Sequence, residues 1–256
     1  MGGYVLKTAF KLIFIFLPVI FILAGCSSTE GKQIHNANQK DVDEVDRKQV
    51  EAKVKAYFEQ YHLDPNLIKF VAIGEPKKYP NGDYELLITV EYHGTPYFTL
   101  VLQADGETYT LIDPKEQIIS AIFNRLYMEE RYEDFKDLIV YLEKIEVEDT
   151  TTPEEEKLKY ISTGLGYDEE INKEIREVFQ EFNGDLEKFR QYIRDNRERF
   201  DLLATSFSIT GTKLDLTEDE IETIKEKIYK LPAGKYGVSI GRHKDFSGVF
   251  DIFTVN

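Results

Sequence analysis

The sequence contains one cysteine, Cys26, and no tryptophan. A lone cysteine cannot form a disulfide within the chain, so the fold has to be held together by burial of apolar surface. If Cys26 carries a lipid, as argued below, it is also unavailable as a catalytic nucleophile or as a thiolate ligand for a metal. The sequence therefore excludes a disulfide scaffold, cysteine-based catalysis and a thiolate metal centre.

Basic residues are scarce relative to acidic ones. Two of the 32 lysines and arginines, Lys7 and Lys11, precede Cys26, which leaves 30 basic residues against 47 acidic residues and a formal charge of −17 on the rest of the chain. Such a surface is repelled by nucleic acid and by anionic lipid head groups. We therefore predict no nucleic-acid partner.

Catalytic and cofactor motifs are also missing. The sequence has no Ser-x-x-Lys pair, and its one Gly-x-Ser-x-Gly match, Gly237-Val238-Ser239-Ile240-Gly241, falls within a predicted strand (residues 236–240) rather than at the turn from a strand into a helix that a nucleophile elbow requires. The 47 acidic residues form many carboxylate pairs by chance, so no pair is singled out for glycoside hydrolysis. We predict no cofactor, no metal and a non-enzymatic role; the alternative is a cell-envelope hydrolase or modifying enzyme with a non-standard carboxylate site. The histidines are scattered, with no pair at the i, i+4 spacing of a helical zinc site: His35, His62, His93 and His243.

The first 25 residues combine a short basic start with one apolar run, residues 12–25. That run would span roughly 21 Å as a helix, which is less than the ~30 Å hydrocarbon core of a bilayer. Pro18 interrupts it. The pattern predicts a signal peptide over residues 1–25 rather than a transmembrane helix.

The apolar run ends in Leu23-Ala24-Gly25-Cys26, which resembles the bacterial lipobox. The resemblance implies that a signal peptidase recognises Leu23, Ala24 and Gly25, that the chain is cut before Cys26, and that Cys26 carries diacylglycerol. Two acyl chains anchor a protein stably, whereas one binds only marginally. We therefore expect a lipid anchor on the extracytoplasmic face of the cell membrane; the alternative is an uncleaved signal anchor with an incidental cysteine.

Residues 26–42 begin with the lipidated cysteine and continue as a polar segment without periodicity. A flexible coil of about 16 residues reaches roughly 20–24 Å. Electrostatic screening in physiological salt acts over about 8 Å. This segment is therefore predicted to be a tether that holds an acidic body away from an anionic membrane.

From residue 43 the sequence becomes periodic and predicts an α+β fold with amphipathic helices on mostly antiparallel sheet. Residues 43–147 indicate a helix, a strand meander and two helices. Residues 148–256 indicate a strand, two helices, a strand, a helix and two strands. An acidic, threonine-rich stretch, residues 146–156, is predicted to link these halves, which form either one domain or two.

Several strand boundaries follow from alternation and turn residues. Residues 84–93 give the clearest strand, and Asp105-Gly106 predicts a hairpin turn. The other predicted strands include residues 67–73, 97–103, 108–112, 157–162, 203–210, 236–240 and 249–255.

Two groups of basic residues are candidate interaction patches. Arg190, Arg194 and Arg197 recur at helical spacing, with Asp195 and Glu198 close enough for local ion pairs, so an ordinary paired helix face is the alternative. The second group lies in the predicted turn between the last two strands, where a solvated hairpin tip is the alternative: Arg242, His243 and Lys244.

Tyrosines concentrate on the predicted meander. Core packing with hydroxyl groups at the rim is the default interpretation, and an exposed tyrosine face for a protein or peptide partner is the alternative. The residues concerned are Tyr84, Tyr92, Tyr97 and Tyr109.

Two stretches carry a family resemblance, residues 93–101 (HGTPYFTLV) and residues 231–238 (LPAGKYGV). Together with the order of lipobox, tether, helix, meander and late helix, they make the chain similar to a family of uncharacterised Gram-positive lipoproteins with a domain of unknown function. The resemblance covers most of the chain after the signal peptide. It implies the location and the lipid on Cys26, and it brings no activity and no further site residues.

Overall fold

The computed structural model describes residues 44–80, 82, 84–112, 114–149, 151–163, 169–203, 206–242 and 247–256. All of them belong to one compact unit. The predicted signal peptide and tether lie outside these residues.

The first helix, α1 (Glu44–Glu59), forms where the sequence shows helical periodicity. Val50, Val54 and Phe58 recur on one face, and all three are fully buried. After the helix, the Asp64 carboxylate accepts the backbone N–H of Asn66 and caps a short 3-10 helix, Pro65–Leu67. The predicted strand from residue 67 therefore begins one residue later, because the capped turn takes up Leu67.

The first sheet is an antiparallel meander of four strands: β1 (Ile68–Ile73), β2 (Lys77–Lys78), β3 (Tyr84–Tyr92) and β4 (Phe98–Asp105). Strand β3 pairs with β4 along one edge and with β1 and β2 along the other. Leu86, Ile88 and Val90 face the core, while Leu87 on the opposite face is exposed. The predicted alternation of this strand is confirmed.

Residues 108–112 do not form the strand that the sequence predicts. The chain does turn at Asp105-Gly106 and come back beside β4, but the pairing there is a single bridge between Ala104 and Leu111. The Asp105 carboxylate explains the difference, because it accepts the backbone N–H and the hydroxyl of Thr108. A side chain that binds backbone groups in this way competes with a strand ladder.

Two helices follow the meander, α2 (Pro114–Glu130) and α3 (Tyr132–Lys144). Both helices are amphipathic, as the sequence predicts, and every member of their apolar faces is buried: Ile118, Ile119, Ile122, Phe123 and Leu126 on α2, and Phe135, Leu138, Ile139 and Leu142 on α3.

The second sheet has the strand order β5 (Ile161–Thr163), β6 (Ser206–Gly211), β7 (Gly234–Arg242) and β8 (Ser247–Val255). Strands β6 and β7 run parallel, and the other two pairs are antiparallel. The parallel pair is joined by helix α7 (Glu218–Ile228), which begins at a capping box: the Thr217 hydroxyl accepts the N–H of Glu220, and the Glu220 carboxylate accepts the N–H of Thr217. Strand β5 is shorter than the predicted 157–162 because Tyr160, just before it, adopts a positive φ.

Helices α4 (Glu169–Glu181), α5 (Leu186–Asp195) and α6 (Arg197–Leu203) precede β6. Helix α6 was not predicted, and its last residue, Leu203, had been assigned to the following strand. The seven residues of α6 bury Phe200 against Phe123 of α2, with the two ring centres 4.9 Å apart. The described residues contain seven α-helices and two mostly antiparallel sheets, which confirms the α+β prediction.

The stretch predicted to link the two halves is fastened to the core. Val147 is buried, and Glu148 forms a bridge with Thr212. The Asp149 carboxylate accepts the backbone N–H of Tyr160 at 2.7 Å, and the Tyr160 hydroxyl donates to the carbonyl of Val147 at 2.8 Å. Hydrogen bonds therefore join the beginning of this segment to its end, at Tyr160, and we call residues 147–160 the strap.

Replacing Tyr160 by phenylalanine tests the strap. The change leaves the buried Val147 carbonyl without its donor, so we expect the free energy of unfolding at pH 7 to fall by about 1–3 kcal/mol. Burial raises the pKa of Tyr160 to about 12. Because the unfolded chain loses this proton near pH 10, the stability that a neutral Tyr160 provides is complete below pH 10 and is lost as the pH rises toward 12.

Urea denaturation at pH 7 and pH 11 measures both effects. The variant should be less stable at pH 7 and should lose less stability than wild type between the two pH values. Tyr229→Phe is the matched control, since Tyr229 is 60% exposed. Equal stability of the Tyr160 and Tyr229 variants at pH 7 would argue against a fastened strap.

Candidate interaction surface

Several residues selected from the sequence lie outside the described part of the chain. They are the four lipobox residues and two of the second basic group: Leu23, Ala24, Gly25, Cys26, His243 and Lys244. Arg242 is described only as the last residue of β7. The interaction patch predicted at this hairpin therefore stays a prediction.

The arginine group on α5 and α6 is described in full. Arg190 contacts the Glu129 carboxylate at 2.8 Å, and Arg194 grips both carboxylate oxygens of Glu130 at 2.9 Å. Arg197 lies 3.0 Å from a carboxylate oxygen of Asp134. The guanidinium groups thus bind acids on α2 and α3 in preference to local partners.

The local ion pairs expected with Asp195 and Glu198 are accordingly replaced by contacts between helices. Asp195 instead accepts a hydrogen bond from the side-chain amide of Gln191. Arg190 is only 18% exposed at its side chain, against 52% for Arg194. The three arginines thus form a clamp that holds α5 and α6 against α2 and α3. These contacts weaken the case that the arginines form a patch free to bind a partner.

This clamp has a clear electrostatic signature. The hydrogen bond from Arg194 lowers the pKa of the Glu130 carboxyl, and burial opposes that effect only in part. The same hydrogen bond raises the pKa of Arg194. Both groups stay ionised, and the two-pronged contact fixes the angle between helices as well as their distance.

A buried arginine, Arg131, lies at the centre of the network, although no pattern in the sequence marks it. Its side chain is 4% exposed and sits at the break between α2 and α3. It donates to the Asp134 carboxylate at 2.9 Å and to the Tyr127 hydroxyl at 2.9 Å. The Tyr127 hydroxyl in turn donates to Asp201 of α6 at 2.6 Å.

Aromatic rings enclose the Arg131 guanidinium. Its central carbon lies 5.1 Å from the ring centre of Phe207 in β6, 5.4 Å from that of Phe135 and 5.6 Å from that of Tyr127. A cation over ring faces gains electrostatic energy that rises when water is excluded. Burial lowers the pKa of Arg131, but the contacts with Asp134, Tyr127 and Asp201 raise it overall, so the side chain remains charged.

Another carboxylate, that of Glu174 in α4, binds one residue of α5 and one residue of α6. It receives both terminal nitrogens of Arg199, at 2.6 and 2.5 Å, and the Tyr192 hydroxyl at 2.6 Å. Beside it, an open depression of about 480 Å³ is lined by residues 194–199. Its lining mixes three arginines with Asp195 and Glu198, so the depression offers no single charge to a ligand.

Two of the four tyrosines of the meander, Tyr92 and Tyr97, belong to the buried core, and Tyr84 and Tyr109 are partly buried. Tyr92 and Tyr97 are 4% and 5% exposed. Tyr92 stacks on Phe98 with ring centres 5.1 Å apart, and the Tyr97 hydroxyl donates to the carbonyl of Thr151 in the strap. Their burial supports the default interpretation over an exposed tyrosine face.

A partly exposed ionic cluster lies on the outer face of the first sheet. The Glu91 carboxylate contacts the ammonium group of Lys69 and the imidazole Nε2 of His93, both at 2.9 Å. The His93 ring meets Tyr97 edge to face. Burial raises the pKa of the Glu91 carboxyl, but the hydrogen bonds from Lys69 and His93 outweigh it and lower the pKa overall. The spacing of the histidines pointed to no metal site at His93, and the ion pair between Lys69 and Glu91 follows from the register of β1 and β3, which the sequence alone does not specify.

Among the residues described here, no group of three or more histidine, cysteine, aspartate or glutamate side chains is arranged to hold a metal ion. No helix in the same residues combines the length and apolar character required to cross a bilayer.

Comparison of the chain with protein-family models, with curated proteins and with solved structures finds no match in any of the three.

Proposed function

We propose that this protein is a lipid-anchored interaction module on the extracytoplasmic face of the cell membrane. The observation that carries the proposal is the tetrapeptide Leu23-Ala24-Gly25-Cys26 at the end of a short apolar run. Diacylglycerol on Cys26 supplies two acyl chains, which is the number needed for stable anchoring. The polar segment after it acts as the tether, and the family resemblance of the chain agrees with this location.

A binding role suits the electrostatics of the folded residues better than acid–base chemistry does. A general acid at neutral pH needs a carboxyl group with a raised pKa. Glu91, Glu130 and Glu174 have lowered pKa values because cationic neighbours bind them. These groups are held ionised, as ion-pairing side chains are, and their partner arginines and lysines are part of the fold. The partner that we propose is an envelope protein or peptide.

Mass spectrometry of the protein purified from membranes tests the anchor. We expect a chain that begins at Cys26 and carries the added mass of diacylglycerol, and we expect it to partition into detergent. A sample expressed without the first 25 residues provides the unlipidated reference mass. An attached leader, or a free thiol at Cys26, would refute the proposal.

A further inference from the structure

Two carboxylates face the same two guanidinium groups at the junction of α2, α3 and α6, but they are held differently. A carboxylate oxygen of Asp134 lies 2.9 Å from Nε of Arg131 and 3.0 Å from Nη2 of Arg197. The Asp201 carboxylate lies 3.6 Å from Nε of Arg131 and 3.5 Å from Nε of Arg197. Charge-assisted hydrogen bonds between such groups are normally about 2.7–2.9 Å long. Asp201 is therefore the looser partner of both arginines.

The short contact that holds Asp201 comes from a phenol. The buried Tyr127 hydroxyl donates to Oδ1 of Asp201 at 2.6 Å, while Oδ2 faces Arg197. The side chain of Asp201 is 35% exposed, whereas that of Arg131 is 4% exposed. The Asp201 carboxylate thus lies between a buried set of donors and solvent. Rotation of the Asp201 side chain into another staggered position is enough to move it away from these donors.

The donors stay in place without Asp201. Three aromatic rings and the Asp134 carboxylate hold the Arg131 guanidinium, and its Nη1 binds the Tyr127 oxygen at 2.9 Å. Arg197 is held by Asp134 and by the backbone carbonyl of Glu130. A preorganised set of donors loses little freedom when it binds a ligand. Tyr127, Arg131 and Arg197 therefore form a carboxylate-binding site of one phenol and two guanidinium groups, which we call the Tyr127 site.

The surroundings of the Tyr127 site do not repel an anion as the rest of this acidic chain does. Arginines are concentrated at the junction, and acids of the chain balance them, so the region is close to neutral. With Asp201 turned to solvent, Arg131 and Arg197 share Asp134, which leaves one positive charge for a ligand. Arg197 also lines the open depression formed by residues 194–199, so the site borders open surface. Five of the nine arginines in the sequence lie here: Arg131, Arg190, Arg194, Arg197 and Arg199.

We infer that Asp201 is the internal occupant of the Tyr127 site, and that a carboxylate of a peptide or protein partner takes its place. The inference rests on the proposed function and deepens it, because it names the chemical group of the partner that is recognised. The carboxylate of the partner accepts the Tyr127 hydroxyl and approaches both guanidinium groups more closely than Asp201 does, because the α6 backbone does not limit its position. Since Asp201 has to leave first, the apparent affinity of wild type is lower than that of the vacated site.

Formate tests the site in the full-length protein, purified in detergent. Asp201→Ala vacates the site, and formate is the smallest carboxylate that can refill it. We expect sodium formate to raise the urea midpoint of Asp201→Ala above its value in sodium chloride of equal concentration, and to change wild type much less. At ten times its dissociation constant, a ligand raises the folding equilibrium constant about 11-fold. Acetate should act more weakly, since its methyl group needs additional space.

Asp195→Ala is the matched control, because Asp195 is an acid of the same arginine-rich surface whose hydrogen bond comes from Gln191. Its removal does not vacate the Tyr127 site, so formate should have no specific effect. Tyr127→Phe combined with Asp201→Ala removes the phenol and should abolish the response. An equal response of the Asp195 variant would indicate general attraction of anions to arginine, and an equal response of the double variant would place formate elsewhere; either result overturns the inference.

A peptide tests the displacement of Asp201. The probe is the tripeptide Gly-Asp-Gly with both ends blocked, and Gly-Asn-Gly is the reference without a carboxylate. We expect Gly-Asp-Gly to stabilise Asp201→Ala, and to stabilise wild type at concentrations about 10–100 times higher, as for a competent state populated at about 1–10%. If Asp201→Ala does not fold, Asp201→Asn keeps the side-chain volume and should likewise respond at lower concentrations than wild type.

Two results would overturn the inference. An equal effect of Gly-Asn-Gly would show that the carboxylate is not recognised. No stabilisation of wild type at about 100 times the concentration that half-saturates the variant would show that Asp201 is a permanent structural partner. The mass of the same samples reports the lipid on Cys26 independently, so a failure of this inference is distinguishable from a failure of the proposed anchor.

Discussion

Replacing Arg131 by alanine is expected to lower the free energy of unfolding by about 3–5 kcal/mol, the usual cost of removing one partner from a buried ionic contact. The guanidinium group is 4% exposed and binds Asp134 and the Tyr127 hydroxyl, and three aromatic rings enclose it. Its removal leaves Asp134 and Asp201 with Arg197 as their remaining cationic neighbour and opens a cavity between α2, α3 and β6. Since whole domains are stable by about 5–15 kcal/mol, the loss is a large part of the total.

Urea denaturation followed by circular dichroism measures this loss. Arg199→Ala is the matched control, because the Arg199 guanidinium binds a carboxylate, as that of Arg131 does, but the side chain is 46% exposed. An exposed pair of this kind contributes about 0–1 kcal/mol. If Arg131→Ala does not fold, Tyr127→Phe gives a milder test, with an expected loss of about 1–3 kcal/mol as Arg131 and Asp201 each lose a partner. Equal stability of the Arg131 and Arg199 variants would contradict this account of the network.

Hydrophobic periodicity predicted the elements whose faces are wide and continuous. Val50, Val54 and Phe58 on α1 recur over several turns, and their burial follows from that spacing. The β3 strand was equally clear because its apolar residues alternate without a break. Capping at Thr217 could be read from the sequence as well, since the box is a local contact between residues three apart.

Short elements and the ends of strands were harder to predict from the sequence. Helix α6 has seven residues, of which Phe200 is buried while Leu202 is 81% exposed, so it gives no recurring apolar face. The chain after Asp105 has strand-forming residues, but one carboxylate redirects its backbone. In both places a contact specific to the fold outweighs the local preference of the sequence.

The ionic network could not be derived from the sequence because its partners are distant along the chain. The helical spacing of Arg190, Arg194 and Arg197 was visible, but their acids lie on helices that only the fold brings close. Arg131 carried no signal at all, since a charged residue is normally expected at the surface. Its burial depends on Phe207, which reaches it only when β6 is in place.

Replacing Cys26 by serine is expected to abolish lipid labelling and to move the protein from the membrane fraction to the soluble fraction. The proposed anchor is a thioether, and a serine hydroxyl cannot form it. Each buried methylene group contributes about 0.8 kcal/mol to membrane binding, so losing two acyl chains removes essentially all of the affinity. The remaining chain has a charge of −17, which opposes any residual attraction to anionic lipid.

The position of the thiol, rather than its presence, should decide the outcome. Ser28→Ala keeps Cys26 and should fractionate as wild type does. The double variant Cys26→Ser, Ser28→Cys keeps one cysteine two residues away from the lipobox position and should behave as Cys26→Ser does. Metabolic labelling with a radioactive fatty acid, followed by fractionation, should group Ser28→Ala with wild type and the double variant with Cys26→Ser. Unchanged membrane retention of Cys26→Ser would show that another segment holds the protein at the membrane. Because residues 12–25 are the one long apolar run in the sequence, an uncleaved signal anchor would then be the better explanation.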